Sequence, residues 1–526
     1  MAIRRIQDWE QDLRERIIQL DSGPIFGNDE GIYRGIPYAA PPVKNLRWKP
    51  PQPVNPWTRP RRGDKFGAVC PQLTYQGAMN EDCLFLNVWA PNQGSGPKLP
   101  VMVWIHGGAF ITGSGSDELY DGAALARQGV VVVTFNYRLG ALGFLAHTLL
   151  SVESPDNISG NYGLLDQVAA LQWVQRHIDR FGGDPDKVTI FGQSAGAESV
   201  SLLLVNPLAQ GLFHAAIAQS PAMVGSLRPL RQEQLGVVPG ETVGRRIVQE
   251  LGIDQVSEVL SALRQISWRK IEAAVAKLQP ELGTEILKSV CTPTVDGYII
   301  PDHPVILFGQ GRRHPVPLIT GVTANESTMF LPYMVSSHPT LEEYQQYLQT
   351  TFGMEAGRIS ELLPVKSTTE VWHRLDQLFS AKWFGAWANF MASTSQNPQQ
   401  TWFYRFTRQI PQWATEVLAE DSLQQQIPYE KLGACHSAEL FYVFGFTKLL
   451  LGFFFKDWAL SEQIMTYWTN FAKSGNPNGG DLPEWPSYGS PEQHHYLEIG
   501  RDLNVRSDLE VELYQIITKT WLESAY

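Results

Sequence analysis

The chain predicts an α/β protein with a large, mostly parallel central sheet and helices on both faces. Three observations carry that reading. Residues 101–105, 130–135 and 188–191 are short apolar runs rich in Val and Ile. They lack the polar alternation of a half-exposed strand, so each reads as a strand covered on both sides. Between the second and third, Val168, Leu171, Val174 and Ile178 recur on one helical face within 166–181, and Gly182 and Gly183 mark the stop. No Pro/Gly/Ser-rich or charged linker divides the 526 residues, so one domain over 1–526 with insertions is expected.

In chain order, Ile3, Ile6, Trp9, Leu13 and Ile17 are spaced for a short amphipathic helix within 1–20, and that stretch lacks the apolar core of a signal peptide. After the strand–helix–strand unit, residues 195–204 read as a second helix. Two stretches, about 225–287 and 341–397, are mainly helical in character and read as insertions over the sheet. Strand character returns at 402–406, and a helix carrying Trp468 and Phe471 is stopped by Gly475 and Pro477.

Composition narrows the function. Hydrophobic residues make up 43% and charged residues 18%, enough for a buried core. The 42 Lys and Arg against 53 Asp and Glu leave a formal charge of −11 without a basic run, which argues against nucleic-acid binding. Cys70, Cys83, Cys291 and Cys435 form no C-x-x-C pair and no H-E-x-x-H occurs, so neither a protein metal site nor a cofactor is expected. The longest strongly apolar run, 449–455, lies between Lys448 and Lys456 and is too short to span a bilayer. A soluble protein is expected, cytoplasmic in preference to one exported with its signal removed.

The chemistry begins at Gly192, Gln193, Ser194, Ala195 and Gly196, directly after the 188–191 strand and before a helix. That context reads as a nucleophile elbow, where flanking glycines make room for a sharp reversal that exposes the serine. Acyl transfer by serine also needs a base, an acid that orients it, and N–H donors for the oxyanion. His436, at a loop junction in Gly433 to Leu440, is the candidate base, and Glu326, after the strand-like 316–319, the candidate acid. Gly107, Gly108 and Ala109 follow the 101–105 strand, so the N–H groups of Gly108, Ala109 and Ala195 are candidate oxyanion donors.

Further matches surround these residues. They include Gly35 to Ala39 with Pro41, Pro42, Arg47 and Trp48; Glu81 to Trp89; Asn136, Tyr137 and Arg138; Gly160 and Asn161; Leu165 to Gln167; and Trp468 with Asn470 and Phe471. On these, over nearly its whole length, the sequence resembles the type-B carboxylesterases. This is the α/β-hydrolase group that includes bacterial para-nitrobenzyl esterases and, more distantly, cholinesterases. The resemblance implies a serine carboxylesterase acting on a small-molecule ester through an acyl-enzyme, with Ser194 as nucleophile, Glu326 as acid, His436 as base and Gly108, Ala109 and Ala195 as oxyanion hole. It implies that Ser220 supports the acid, although Pro221 stands where the family usually has glycine. It implies ion pairs Arg47 with Glu81 and Arg138 with Asp166 that brace active-site loops. Cys70 and Cys83 match a family disulfide, which a reducing compartment would leave open.

Departures bear on substrate. Gln193 is neutral where cholinesterases carry glutamate before the nucleophile, and the loop between Cys70 and Cys83 has no tryptophan, so neutral esters are expected rather than choline esters. The Gly107, Gly108, Ala109 loop resembles the type that admits esters of tertiary alcohols. Asn325, Glu326 and Ser327 form an N-x-S sequon that reads as accidental, because a glycan there would block the pocket. Two rivals remain: a lipase with interfacial activation, for which the 449–455 run is the hint, and a non-catalytic adhesion module, which the complete triad disfavours.

Overall fold

The computed structural model describes residues 17–525 apart from 29, 92–95, 223–226, 234–235, 283–288, 337, 420–423, 425–426, 447–454 and 490–493. Ten strands form one sheet: β1 (Ile32–Pro37), β2 (Phe85–Trp89), β3 (Leu99–Ile105), β4 (Val131–Phe135), β5 (Gly183–Gln193), β6 (Ala215–Gln219), β7 (Leu318–Thr323), β8 (Thr401–Phe406), β9 (His495–Ile499) and β10 (Leu503–Ser507). Their spatial order is β10-β9-β8-β7-β6-β5-β3-β4-β2-β1. From β4 to β9 every neighbour is parallel, and β2, β1 and β10 close the two edges antiparallel.

Alternation along the strands sorts side chains into two cores. Val101, Val103 and Ile105 of β3, with Val188 and Ile190 of β5, point to one face; Met102, Trp104 and Phe191 point to the other. Both sets are apolar because both faces are covered, which is why these strands show no polar alternation. The first face is packed by α1 (Tyr162–His177), α2 (Ala195–Val205), α3 (Gly240–Glu250), α4 (Val259–Gln265) and α5 (Trp268–Leu282). It also carries α6 (Leu341–Phe352), α7 (Ala356–Leu362), α8 (Thr368–Ser380) and α9 (Ala386–Ser393). The second face is packed by α10 (Phe455–Ser474), through Leu460, Ile464, Trp468 and Phe471. The last helix, α11 (Val511–Ala525), returns to the first face through Leu513 and Ile517.

Some elements differ from expectation. α1 passes at Ile178 into a 3₁₀ turn that Gly182 closes at φ +78°, and β5 begins at Gly183 rather than 188. Its first turn of strand, Asp184, Pro185, Asp186 and Lys187, is polar and carries no β signal; pairing with β3 at Leu99 and Gly183 draws it into the sheet. The helix expected over 1–20 lies outside the described residues up to 16. Ile17–Leu20 instead forms a hairpin strand paired with Gly23–Phe26, whose Ile25 gives Ile18 an apolar partner. The 449–455 run also falls outside them, except that Phe455 starts α10.

Candidate active site

β5 ends at Gln193 and α2 begins at Ala195, so Ser194 makes the whole reversal, at φ +57° and ψ −125°. A β-carbon on Gly196 would collide with the Ile105 carbonyl of β3, and one on Gly192 would lie 2.6 Å from the Gly196 carbonyl carbon. Both glycines are therefore set by backbone passing beside them, not by loop flexibility. Ser194 N–H donates to the Gln219 carbonyl of β6 at 3.0 Å, tying the elbow to the neighbouring strand. Ser194 is the one residue of 191–200 that is not buried.

The loop after β3 packs on this elbow: a β-carbon on Gly107 would lie 2.8 Å from the Gln193 carbonyl oxygen and 3.2 Å from Ser194 Cβ. Gly108, Ala109 and Phe110 all take positive φ, at +98°, +51° and +63°. Among the described residues the N–H groups of Gly108, Ala109 and Ala195 meet no protein acceptor. His106 anchors the loop from beneath, its ring stacked on Tyr137 at 4.3 Å and its Nδ1 2.8 Å from the Gly107 carbonyl oxygen. Burial lowers the His106 pKa to about 4, so the ring is neutral and Nδ1–H donates.

The candidate acid and base arrive from the other half of the sheet. Glu326, fully buried just past β7, takes the Thr323 N–H on Oε1 at 2.7 Å and presents Oε2 to His436 Nδ1 at 2.5 Å. Phe384 and Phe330 flank the imidazole, with centroids 4.6 Å and 5.5 Å away. His436 Nε2 is met by the Gln193 side-chain amide, Nε2 to Nε2, at 3.0 Å, and Ser194 Oγ forms no hydrogen bond among the described residues. Three residues beyond His436, Glu439 is buried against the same pair. Desolvation, then the Glu326 charge, pushes its carboxyl up to about 7, and Gln219 Nε2 donates to its Oε1 at 3.2 Å.

The remaining expected residues are placed as follows. Arg47 grips Glu81 with two hydrogen bonds, Nε to Oε2 at 2.7 Å and Nη2 to Oε1 at 2.5 Å, and donates through Nη1 to the Ile266 carbonyl after α4. Arg138 and Asp166 form a fully buried two-bond pair at 2.7 Å, with Arg138 also reaching the Lys49 carbonyl. Ser220 Oγ is buried without a hydrogen-bond partner among the described residues, so the expected bond to the acid is not formed; the Glu326 oxygens take the Thr323 N–H and face His436. Cys70 and Cys83, whose pairing the resemblance left open, are both free, and Cys70 Sγ accepts the Leu139 N–H at 3.3 Å. Asn325 of the sequon spends its amide on Asp376 at 2.7 Å. Asp376, Glu439, Phe330 and Phe384 escape sequence reasoning; only Glu439, an acid inside the apolar 438–444 stretch, left a signal there.

Among the described residues, no cluster of three or more His, Cys, Asp or Glu is placed to hold a metal ion, and no helix is long and apolar enough to cross a membrane. The carboxylesterase family model matches residues 14–517. The chain is 35% identical to the para-nitrobenzyl esterase of Bacillus subtilis (strain 168) over 96% of this chain and 98% of that one. It is 36% identical to the fumonisin B1 esterase of Sphingopyxis macrogoltabida over 89% and 83%. A solved PNB esterase structure superposes with a TM-score of 0.79 at 32% identity, covering 96% of this chain and 99% of the other, and the Geobacillus stearothermophilus carboxylesterase does so at 0.77 and 31%, covering 95% and 99%. With its ten-stranded sheet and these likenesses, the chain has the α/β-hydrolase fold and belongs to the carboxylesterase family of carboxylic-ester hydrolases.

Proposed function

We propose that the enzyme cleaves neutral carboxylic esters through an acyl-enzyme formed on Ser194. The observation that carries this reading is the Glu326–His436 contact at 2.5 Å, with the far imidazole nitrogen turned to the nucleophile elbow through Gln193. Substrate entry displaces the Gln193 amide, and His436 Nε2 takes the Ser194 hydroxyl proton as Oγ attacks the ester carbonyl. The N–H groups of Gly108, Ala109 and Ala195 receive the oxyanion, a contribution worth about a hundredfold or more per donor. The tetrahedral intermediate collapses as His436 gives its proton to the leaving alkoxide, releasing the alcohol. Water then adds to the acyl-enzyme carbonyl with His436 as base, and collapse returns the proton to Ser194 Oγ and frees the carboxylic acid. Glu326 holds the Nδ1–H tautomer and the imidazolium charge throughout.

Preference for neutral esters rests on the wall around His436, where Phe330, Phe384 and the uncharged Gln193 offer no anion to a cationic alcohol. Arg47–Glu81 and Arg138–Asp166 brace the segments beneath the site. Ser194→Ala tests the assignment: para-nitrophenyl acetate turnover is expected to fall about 10⁴-fold or more with an unchanged melting temperature. Retained turnover would sink it. Adding choline and tertiary-alcohol acetates to the wild-type panel tests the two substrate expectations that the sequence raised.

A further inference from the structure

Asp376 lies in α8, which is not part of the triad's own strands and loops. Its carboxylate is fully buried and accepts three side-chain hydrogen bonds: from Asn325 Nδ2 at 2.7 Å, Ser327 Oγ at 2.9 Å and Ser380 Oγ at 3.1 Å. Ser380 Oγ in turn accepts the Ser327 N–H at 3.1 Å. Asn325 and Ser327 are the two neighbours of Glu326, so one carboxylate holds the acid's loop on both sides. Asn325 also reaches the base: its Oδ1 accepts the Ala434 N–H and its own N–H donates to the Ala434 carbonyl, both at 3.0 Å, two residues before His436. Gly433 makes the closure sterically possible, because a β-carbon there would collide with the Asn325 amide. The same helical rod continues through a π turn, Ala381–Gly385, whose Phe384 packs on the His436 ring. Such turns often mark functional sites.

We infer that Asp376 is a positioning residue that locks the Glu326 loop and the His436 loop into one register, an inference that rests on the triad reading above. The chemistry favours the anion: three donors converge on two oxygens, and a protonated carboxyl or an asparagine would turn one acceptor into a donor facing Asn325 or the serines. Burial nevertheless pushes the carboxyl up to about 6, against the lowering by its donors, so the clamp loosens as pH falls through that value. Of the ionisable groups on the two loops, Cys435 feels the Asp376 charge, and Glu326 lies between the donors Asn325 and Ser327. A shift of about 1 Å between the two loops is enough to cost roughly a hundredfold in rate.

The test uses the full-length enzyme with para-nitrophenyl acetate, comparing wild type, Ser194→Ala, Asp376→Asn, Asn325→Ala and the Asp376→Asn/Asn325→Ala double variant. Asp376→Asn is expected to lower kcat about ten- to a hundredfold with KM within threefold. The acid limb of its kcat profile should become shallower by one proton, Glu439 titrating alike in both proteins. Asn325→Ala, which leaves the carboxylate its two serines, is expected to lower kcat about tenfold, and the double variant to be no worse than Asp376→Asn alone. Wild-type kcat in Asn325→Ala would overturn the inference even if Asp376→Asn failed to fold. So would a kcat loss in Asp376→Asn that left the acid limb unchanged. Equal turnover by Ser194→Ala and wild type would instead overturn the triad reading itself.

Discussion

The two halves of the candidate active site are held by different forces. On the nucleophile side, Ser194 and the Gly107–Gly108–Ala109 loop are positioned by backbone against backbone: Gly196 under the Ile105 carbonyl, Gly107 against Gln193, Ser194 N–H on the Gln219 carbonyl. On the acid–base side, Glu326 and His436 are positioned by side chains meeting across long stretches of sequence, through Asn325 to Asp376, Ser327 to Asp376 and Glu326 to His436. The first arrangement is rigid because a main chain beside a glycine has nowhere to go. The second depends on hydrogen bonds and charge states, and so responds to pH and to conservative substitution.

The contrast sets the expected size of each perturbation. Gly196→Ala should be the most damaging, because the new methyl meets the backbone of a central strand rather than a movable side chain. A loss of about 3 kcal/mol or more in a denaturant melt is expected, and a variant within 1 kcal/mol of wild type would show that the elbow has slack. Gly433→Ala should be intermediate. Its φ of +59° and the Asn325 amide both oppose a β-carbon, but the amide is the end of a side chain and can yield. About 1–2 kcal/mol is expected from the left-handed backbone, together with a fall in kcat that exceeds the fall in stability; a melt shift without any kcat change would place Gly433 outside the clamp.

Glu439→Gln should have the smallest effect on activity and the clearest pH signature. Because burial and the Glu326 charge raise the Glu439 carboxyl to about 7, the folded chain binds that proton more tightly than the unfolded chain does. Its contribution is then fully present below the ordinary glutamate range and lost as pH rises through 7, of the order of 3 kcal/mol in all. The variant should gain stability relative to wild type as pH goes from 5 to 8. Parallel pH profiles of melting temperature would show that Glu439 is ionised throughout.

How much could be read before the fold was known follows the same division. The 101–105, 130–135 and 188–191 strands, the helix ending before Gly182 and the Ser194 turn are local patterns, carried by burial on both faces and by glycine. The start of β5 at Gly183 was hidden because Asp184 to Lys187 are polar and only pairing with Leu99 makes them strand. Asp376 and Phe384 were hidden for a stronger reason. An aspartate in a mixed helical insertion looks solvated until α8 is folded against the acid's loop, 51 residues away from Asn325 in sequence. Ser220 shows the reverse error: its motif position implied a bond to Glu326, but its buried hydroxyl has no hydrogen-bond partner among the described residues.

By itself, the sequence determined the α/β class, the glycine-framed turn at Ser194 and the candidacy of Glu326 and His436, because steric demands and burial act between residues near in the chain. Tertiary structure alone decided that Gln193 covers His436 Nε2, that Cys70 Sγ takes the Leu139 N–H, and that Asp376 joins the two loops. Hydrogen bonds between distant side chains have directions and distances that no spacing in a linear chain encodes.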